Sequence, residues 1–254
     1  MWRLSNLFKL VLLLFIAYLG SSELIQKSNT AAYERMFMGA KPTSVNLIIA
    51  HPDDEVMFFA PTLIQLDALL DQEVPVRVFC MTNGGADGLG AIRVRELQES
   101  LQLLMHRKRP NTEILDFADG MQENWDLKST TKHLKSVVTD SAPTFITFDD
   151  HGISNHINHI SCYKTVQNLR DYYPEGLYFR LSSKQWILQK YTAFIPALLH
   201  AHRSTRGIIF VNDFKTYLLS FATMLNAHVS QMVWFRYGWW FLSYYVYANE
   251  LQRF

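Results

Sequence analysis

The chain has little cysteine, no excess of either charge and no long apolar run. Two cysteines in 254 residues, Cys80 and Cys162, show no CxxC or other paired spacing. That excludes a disulfide framework and a thiolate metal site, and both read as small buried hydrophobes. Lys plus Arg number 24 against 23 Asp plus Glu, a formal net charge of +1. No global positive field is left to hold a polyphosphate backbone, which argues against a nucleic-acid partner. Low-complexity tracts and internal repeats are also missing. With 49% hydrophobic and 19% charged residues, the sequence is that of a globular chain able to bury the core of one domain. No G-x-G-x-x-G or Walker pattern occurs. The glycine-rich stretch "NGGADGLG", Asn83 to Gly90, matches neither, which argues against dinucleotide and ATP binding; its amides before a helix suit a phosphate.

The N-terminal apolar stretch, Leu10 to Leu19, falls short of the roughly 20 residues that cross a bilayer upright, even with Leu7 and Phe8 around Lys9 added. Arg3, Lys9, this core and Gly20-Ser21-Ser22 also fit a secretory signal. The lack of any Asn-x-Ser/Thr sequon and the cysteine usage weigh against export. The expected organisation is a retained, snorkelling membrane anchor over 1–22, a polar linker over 23–43 and a globular domain over 44–254 on the cytosolic side. Basic residues on the two flanks are too balanced to fix orientation by themselves. At the other end, "MVWFRYGWWFLSYYVYANEL" is the most aromatic segment; its rings suit either the headgroup level of a bilayer or the core.

Between these ends, short β-rich runs alternate with helical patterns. "VNLIIA", "VPVRVFCMT", "TEILDF", "TFITF" and "GLYFRL" are strand candidates, separated by "FFAPTLIQLDALL", "IRVRELQESLQLLM", "TTKHLKSVV" and "NHINHISCYKTVQNLRDYY". Strand followed by helix, repeated, predicts an α/β domain: a Rossmann-like, three-layer arrangement with a mostly parallel sheet, preceded by the short N-terminal apolar segment. Ligands bind such sheets outside the carboxyl ends of the strands.

Two polar clusters begin where strands end. "HPDDE" follows "VNLIIA", and "DDHGISNHINHISCY" follows "TFITF". In the second, His156 and His159 are spaced i, i+3 and share a helix face. The clusters can meet at one crevice if their strands lie close in the sheet. Imidazole and carboxylate suit zinc, whose catalytic sites use three protein ligands and keep one position open. His51, Asp54 and His159 fit that role and leave Asp53 and His156 to move protons. By residue type alone, His151 or His156 can exchange roles with His159, and solvated turn carboxylates with structural histidines remain the alternative.

"AHPDDE" with "HGISNHINH" resembles the PIG-L/LmbE-like family of metal-dependent de-N-acetylases, which includes the deacetylase acting on N-acetylglucosaminyl-phosphatidylinositol in GPI-anchor synthesis. The likeness extends through "TNGGADGLGAIRVRELQES", "DFADGMQENWD" and "LNAHVSQMVWFRYGWW", covers most of Val45 to Trp240, and looks nearest to fungal members. It implies zinc, or another divalent metal, on His51, Asp54 and His159, Asp53 as general base, and His156 facing the acetamide oxygen. It also implies that Arg93, Glu96 and His228 lie near the substrate; an i, i+3 ion pair for the first two and a core position for His228 are the structural alternatives. Bacterial members carry Asp where this chain has Asn158, and Tyr where it has Ser154, so a carboxylate-supported histidine and a tyrosine oxyanion donor are not expected at those positions. The implied activity is hydrolysis of the glycolipid's acetamide at the endoplasmic reticulum membrane. A zinc deacetylase of a soluble N-acetyl sugar and a non-catalytic scaffold keeping the fold are the competing readings. No feature identifies a protein partner.

Overall fold

The computed structural model describes residues 2–202 and 207–254. Trp2–Leu19 (α1) and Ser22–Phe37 (α2) precede the first strand, Val45–Ile49 (β1). Asp54–Phe58 (α3) and Ala60–Leu69 (α4) lead to Val76–Cys80 (β2), and Gly90–Leu104 (α5) leads to Asn111–Ile114 (β3). Leu127–Val137 (α6) is followed by Thr144–Phe148 (β4), then by Gly152–Asn155 (α7) and Ile157–Leu169 (α8), which reach Leu177–Leu181 (β5). Ile187–Lys190 (α9) and Ile195–His202 (α10) precede Ile208–Val211 (β6). Phe214–Ala227 (α11), Trp234–Leu242 (α12) and Ala248–Arg253 (β7) complete the chain.

Seven strands form one sheet in the order β3-β2-β1-β4-β5-β7-β6. The five from β3 to β5 are parallel, and β7 runs antiparallel between β5 and β6. The expected three-layer α/β domain with a mostly parallel sheet is therefore present, with helices on both faces. β1 and β4 are buried at every position, as their unbroken apolar sequences require when both faces are covered. Chain order reverses between β1 and β4: β2 and β3 extend to one side, β5 to the other. At such a switch point the following loops diverge and leave a crevice.

Two strands are not legible in the sequence. β7 lies within the aromatic tail region, and β6 is four residues long, so neither carries a distinctive pattern. The expected linker is a larger difference. Residues 22–37 form helix α2, which buries Ile25, Asn29, Ala32 and Met36 at 1% exposure or less. The Asn29 side chain donates to the Val211 carbonyl at 2.9 Å and accepts from the Val211 amide at 2.8 Å. It thus pairs with the outer backbone of edge strand β6 as another strand would. A polar residue spent on backbone satisfaction looks like linker composition, which is why the segment reads as unstructured. Tyr18 of α1 is also fully buried and donates to the Asn212 carbonyl at 3.0 Å. The N-terminal part of α1 is exposed all round, Leu4, Phe8 and Leu13 among it. No single helix among the described residues is long and apolar enough to cross a membrane; α1 and α2 pass that test only as a pair bent by 61°.

Candidate active site

The crevice outside β1 and β4 gathers the two polar clusters. β1 ends at Ile49, and the chain turns through His51 to Asp53 before entering α3 at Asp54. The turn is held from within. One Asp54 carboxylate oxygen, Oδ2, accepts the amides of Ala50 and His51 at 3.0 and 2.8 Å. Asp53 sits at φ 124°, a region that costs free energy for any residue with a Cβ and persists where surrounding contacts impose it. Its amide donates to Glu55 Oε2 at 3.0 Å, and Glu55 Oε1 in turn accepts from Ser100 Oγ at 2.5 Å and lies 2.6 Å from His228 Nε2. The strained aspartate is thereby anchored to a fully buried Glu55–His228 pair.

His51, Asp54 and His159, all buried, bring one ligand atom each within 4.8 Å of one another. The donor geometry favours a cation at their centre. His159 stacks on Phe148 at 3.9 Å, and its Nδ1 faces the Gly152 carbonyl at 3.1 Å, an acceptor that obliges Nδ1 to carry the hydrogen. Its Nε2 is then a bare lone pair, buried without a hydrogen-bond partner and 3.2 Å from Asp54 Oδ1. A lone pair facing a carboxylate oxygen at that range is repulsive unless a cation lies between. His51 is tethered likewise: Nε2 points at Asn158 Oδ1 and Asp119 Oδ1, both at 3.2 Å, which leaves Nδ1, 3.6 Å from Asp54 Oδ2, as the nitrogen available to a metal. Imidazoles that bind metal commonly give their other nitrogen to an oxygen in this way. These residues fit a divalent ion with nitrogen and oxygen preference.

Burial opposes charge on His51, but hydrogen bonds to Asp119 and Asp54 outweigh it and push its pKa up to about 10 without a metal. Asp54, despite complete burial, is held well below the usual carboxylate range by His159 and His51. His156 goes the other way. Burial, with His159 and His51 nearby, lowers its pKa to about 4, so it is neutral at neutral pH. Its Nδ1 accepts the Asn158 amide at 3.3 Å, which places the ring proton on Nε2. His156 therefore faces the crevice as a neutral donor.

Arg93 and Arg236 close the other side. Asp53 Oδ2 lies 2.8 Å from Arg236 Nη1 and 3.5 Å from Arg93 Nη2, leaving Oδ1 with no hydrogen-bond partner among the described residues. Arg93 also donates to the carbonyls of Pro52 and Gly84 at 2.8 and 3.1 Å. It clamps the two loops together and does not pair with Glu96. Glu96 instead accepts the Ser230 amide and hydroxyl at 2.7 and 2.6 Å. His228, expected at the substrate, is fully buried. It has no surface to offer a substrate here and acts on the site through Glu55.

His151 is turned outward, half exposed, with Gln185 at 2.8 Å and Asp150 at 3.4 Å; it takes no part in the cluster, so the exchange of roles left open for it does not occur. The Asn158 side chain is buried and faces His51 rather than His156, and its Nδ2 donates to the Glu123 carbonyl at 2.8 Å. The carboxylate that backs a ligand histidine is Asp119, held below its usual range by His51. Sequence reasoning misses Asp119, Glu55 and Arg236. Asp119 has a signal: "DFADG" closely follows the end of β3, the same position relative to its strand as "HPDDE". Arg236 has none, because it lies in a helix whose apolar residues dominate the pattern.

A cluster of three metal-ligand candidates with a carboxylate and a neutral imidazole donor beside it, at the switch point of a three-layer α/β domain, defines a hydrolytic centre of metal-dependent type. A family profile described as "PIG-L: GlcNAc-PI de-N-acetylase" matches residues 46–169. The chain is 38% identical to the N-acetylglucosaminyl-phosphatidylinositol de-N-acetylase of Saccharomyces cerevisiae over 97% of its own length and 93% of that protein's. It is 38% identical to a probable enzyme of the same name from Schizosaccharomyces pombe, covering 83% of this chain and 86% of the other. In fold it is similar to the N,N'-diacetylchitobiose deacetylase of Pyrococcus horikoshii, with a TM-score of 0.59 at 17% identity, covering 87% and 86% of the two chains. The chain belongs to the PIG-L family of GlcNAc-PI de-N-acetylases.

Proposed function

We propose that the protein hydrolyses the acetamide of N-acetylglucosaminyl-phosphatidylinositol, releasing acetate and leaving a free amine on the sugar. The observation that carries this reading is the meeting of His51, Asp54 and His159 with Asp53 and His156 in one crevice, in a chain 38% identical over nearly its whole length to the yeast deacetylase. His51, Asp54 and His159 would hold the metal, and zinc is the ion their nitrogen and oxygen donors suit. When bound, it supplies Lewis-acid polarisation of the amide carbonyl and acidifies a water to near neutrality.

The remaining chemistry belongs to the chain. Asp53 is the base: Oδ1 is free to take the water's proton while Arg236 and Arg93 fix Oδ2. His156 presents Nε2–H to the carbonyl oxygen as charge develops there. The C–O bond forms, the C–N bond breaks, and the departing nitrogen takes a proton held by Asp53. Arg93 holds the Pro52 and Gly84 carbonyls and so keeps the crevice in register. Retention of both a base and a donor beside the ligand cluster favours an enzyme over a scaffold.

The same reading assigns the protein to the endoplasmic reticulum membrane, with α1 as a short anchor and the sheet domain on the cytosolic side. The exposed apolar N-terminal part of α1 and two free, buried cysteines support it. Acetate release, measured on the glycolipid in vesicles and on a soluble N-acetyl sugar, tests the reading. Release from the glycolipid is expected. Release from the soluble sugar alone would establish the second reading, and metal-loaded protein inert on both would establish the scaffold.

A further inference from the structure

Two surface elements at the crevice have the same unusual construction. Helix α12 points Trp234 and Phe235 into solvent, Trp234 at 84% exposure, yet its Arg236 turns inward to Asp53. The α9 turn points Trp186 and Leu188 outward, Leu188 at 82%, yet its Lys190 turns inward and donates to the Ile153 carbonyl at 2.8 Å. Each inward cation grips a turn with a backbone conformation that its residue disfavours. Asp53 stands at φ 124°, and Ile153, a β-branched residue three positions before His156, at φ 67°. The two elements are tied to each other. Tyr191 bridges Ser243, and the Ala193 amide donates to the Leu242 carbonyl at 2.9 Å.

We propose that α9 and α12 form one shelf that seats on a lipid bilayer at the mouth of the active site, and that seating braces Asp53 and His156 through Arg236 and Lys190. The inference rests on the lipid-linked substrate proposed above. Three observations select a bilayer over another protein as the occupant. The outward residues are Trp186, Leu188, Trp234 and Phe235 with the exposed Tyr191 and Tyr237, the aromatic and apolar mixture that settles at the headgroup level. From Ser182 to Asn249 the only acidic residue is Asp213, so the segment sets almost no negative charge against an anionic lipid surface. The shelf also adjoins α1, whose N-terminal part is apolar and exposed: Phe15 packs on Phe194 at 5.3 Å, next to the Ala193–Leu242 tie. A glycolipid whose tails stay in that bilayer would enter the crevice headgroup first.

Depth probes test this on the full chain. Cys80 and Cys162 are fully buried, so a single introduced cysteine can carry an environment-sensitive dye. Leu188→Cys and Phe235→Cys are expected to shift their emission to the blue in vesicles containing phosphatidylinositol. Tyr172→Cys, exposed at the opposite end of the sheet, is not. No shift at 188 and 235 would overturn the proposal, as would a concentration-dependent shift without vesicles, which would make a second copy the occupant. The double variant Trp186→Ser/Trp234→Ser separates the shelf from the assigned reaction. Its activity on bilayer-embedded glycolipid is expected to fall by about tenfold or more, with hydrolysis of an acyl-free headgroup analogue unchanged without vesicles and no longer raised by adding them. An equal fall on the analogue without vesicles would make the shelf purely structural. If the wild type hydrolyses neither, the assigned reaction fails while the dye result still decides the docking.

Discussion

Arg236 Nη1 lies 2.8 Å from Asp53 Oδ2, across 183 positions of sequence. The contact gives the two adjacent aspartates different work. Asp53 is pulled toward the arginines at the crevice wall, whereas Asp54 turns back onto the backbone amides of its own loop and toward His159.

Asp53→Asn should therefore keep its metal and lose turnover by roughly 10²–10⁴-fold, the scale of a missing general base. Asn tolerates positive φ better than most residues, so the loop should survive. Asp54→Asn should instead lose metal, as should His51→Ala and His159→Ala. Elemental analysis beside acetate assays reads both quantities; an Asp53→Asn protein that loses its metal while Asp54→Asn keeps it would reverse the roles.

Metal binding should release protons. In the metal-free protein His51, with a pKa of about 10, is charged at pH 7 and must give up the Nδ1 proton to bind. Affinity should rise with pH, and calorimetry in two buffers of different ionisation enthalpy should count about one proton released. The sign for stability follows. The folded pKa is raised, so the His51 contribution to the metal-free fold is full below about 6.5 and fades as pH climbs toward 10. His156 is lowered, so its unfolded form alone binds a proton between about 6.5 and 4, and stability should fall as pH drops through that window.

Gly84 has two reasons to be glycine. It stands at φ 70°, and an added Cβ would lie 2.7 Å from Cζ of Arg93. Gly84→Ala should cost about 1–2 kcal/mol from the backbone alone and dislodge the clamp on Pro52. A denaturant midpoint and activity that both match the wild type would refute the clamp.

His228 and Glu55 should matter more to stability than to substrate affinity. Removing one partner of a buried pair leaves the other uncompensated, a cost of about 3–5 kcal/mol. Glu55→Gln should lower the unfolding midpoint and kcat with KM unchanged for an acyl-free analogue. A raised KM with an unchanged midpoint would return His228 to the substrate.

Asn29→Ala should destabilise the sheet domain although residue 29 precedes it. Two buried backbone groups of Val211 lose their partner, about 1–3 kcal/mol each. Chemical denaturation followed by far-UV dichroism measures this; no change would mean that α2 is dispensable to β6.

The gathering of His51, Asp54 and His159 is legible in the sequence because its signals are local. A buried strand that stops at "HPDDE" has to deliver those groups to a strand end; the shared helix face expected of His156 and His159 is not formed, because His156 stands at ψ 122° as the residue before α8, and its ring meets that of His159 at 4.8 Å from there. The roles of Arg236, Asp119 and Glu55 are not legible. The side chain of each acts on residues far away in sequence, Arg236 on Asp53, Asp119 on His51 and Glu55 on Ser100 and His228, except for the Glu55 bond to the Asp53 amide, and no periodicity encodes such a pairing. Asn29 shows the opposite failure: the local pattern is visible, but its polarity conceals a backbone partner supplied by a strand 182 residues away.

By itself the sequence determined the alternation of strand and helix, hence the parallel sheet with ligands at its carboxyl ends, because the periods of the two elements are written in neighbouring residues. It also determined the ligand types, since imidazole and carboxylate carry their chemistry wherever they are placed. Only the tertiary structure decided the rest: that β1 and β4 are adjacent, that His156 carries its proton on Nε2, that His228 is sealed in the core, and that Arg236 reaches Asp53 from an aromatic helix. Those facts depend on which distant groups become neighbours when the sheet closes. They depend equally on burial, which sets the cost of every charge and so fixes which atoms hold protons.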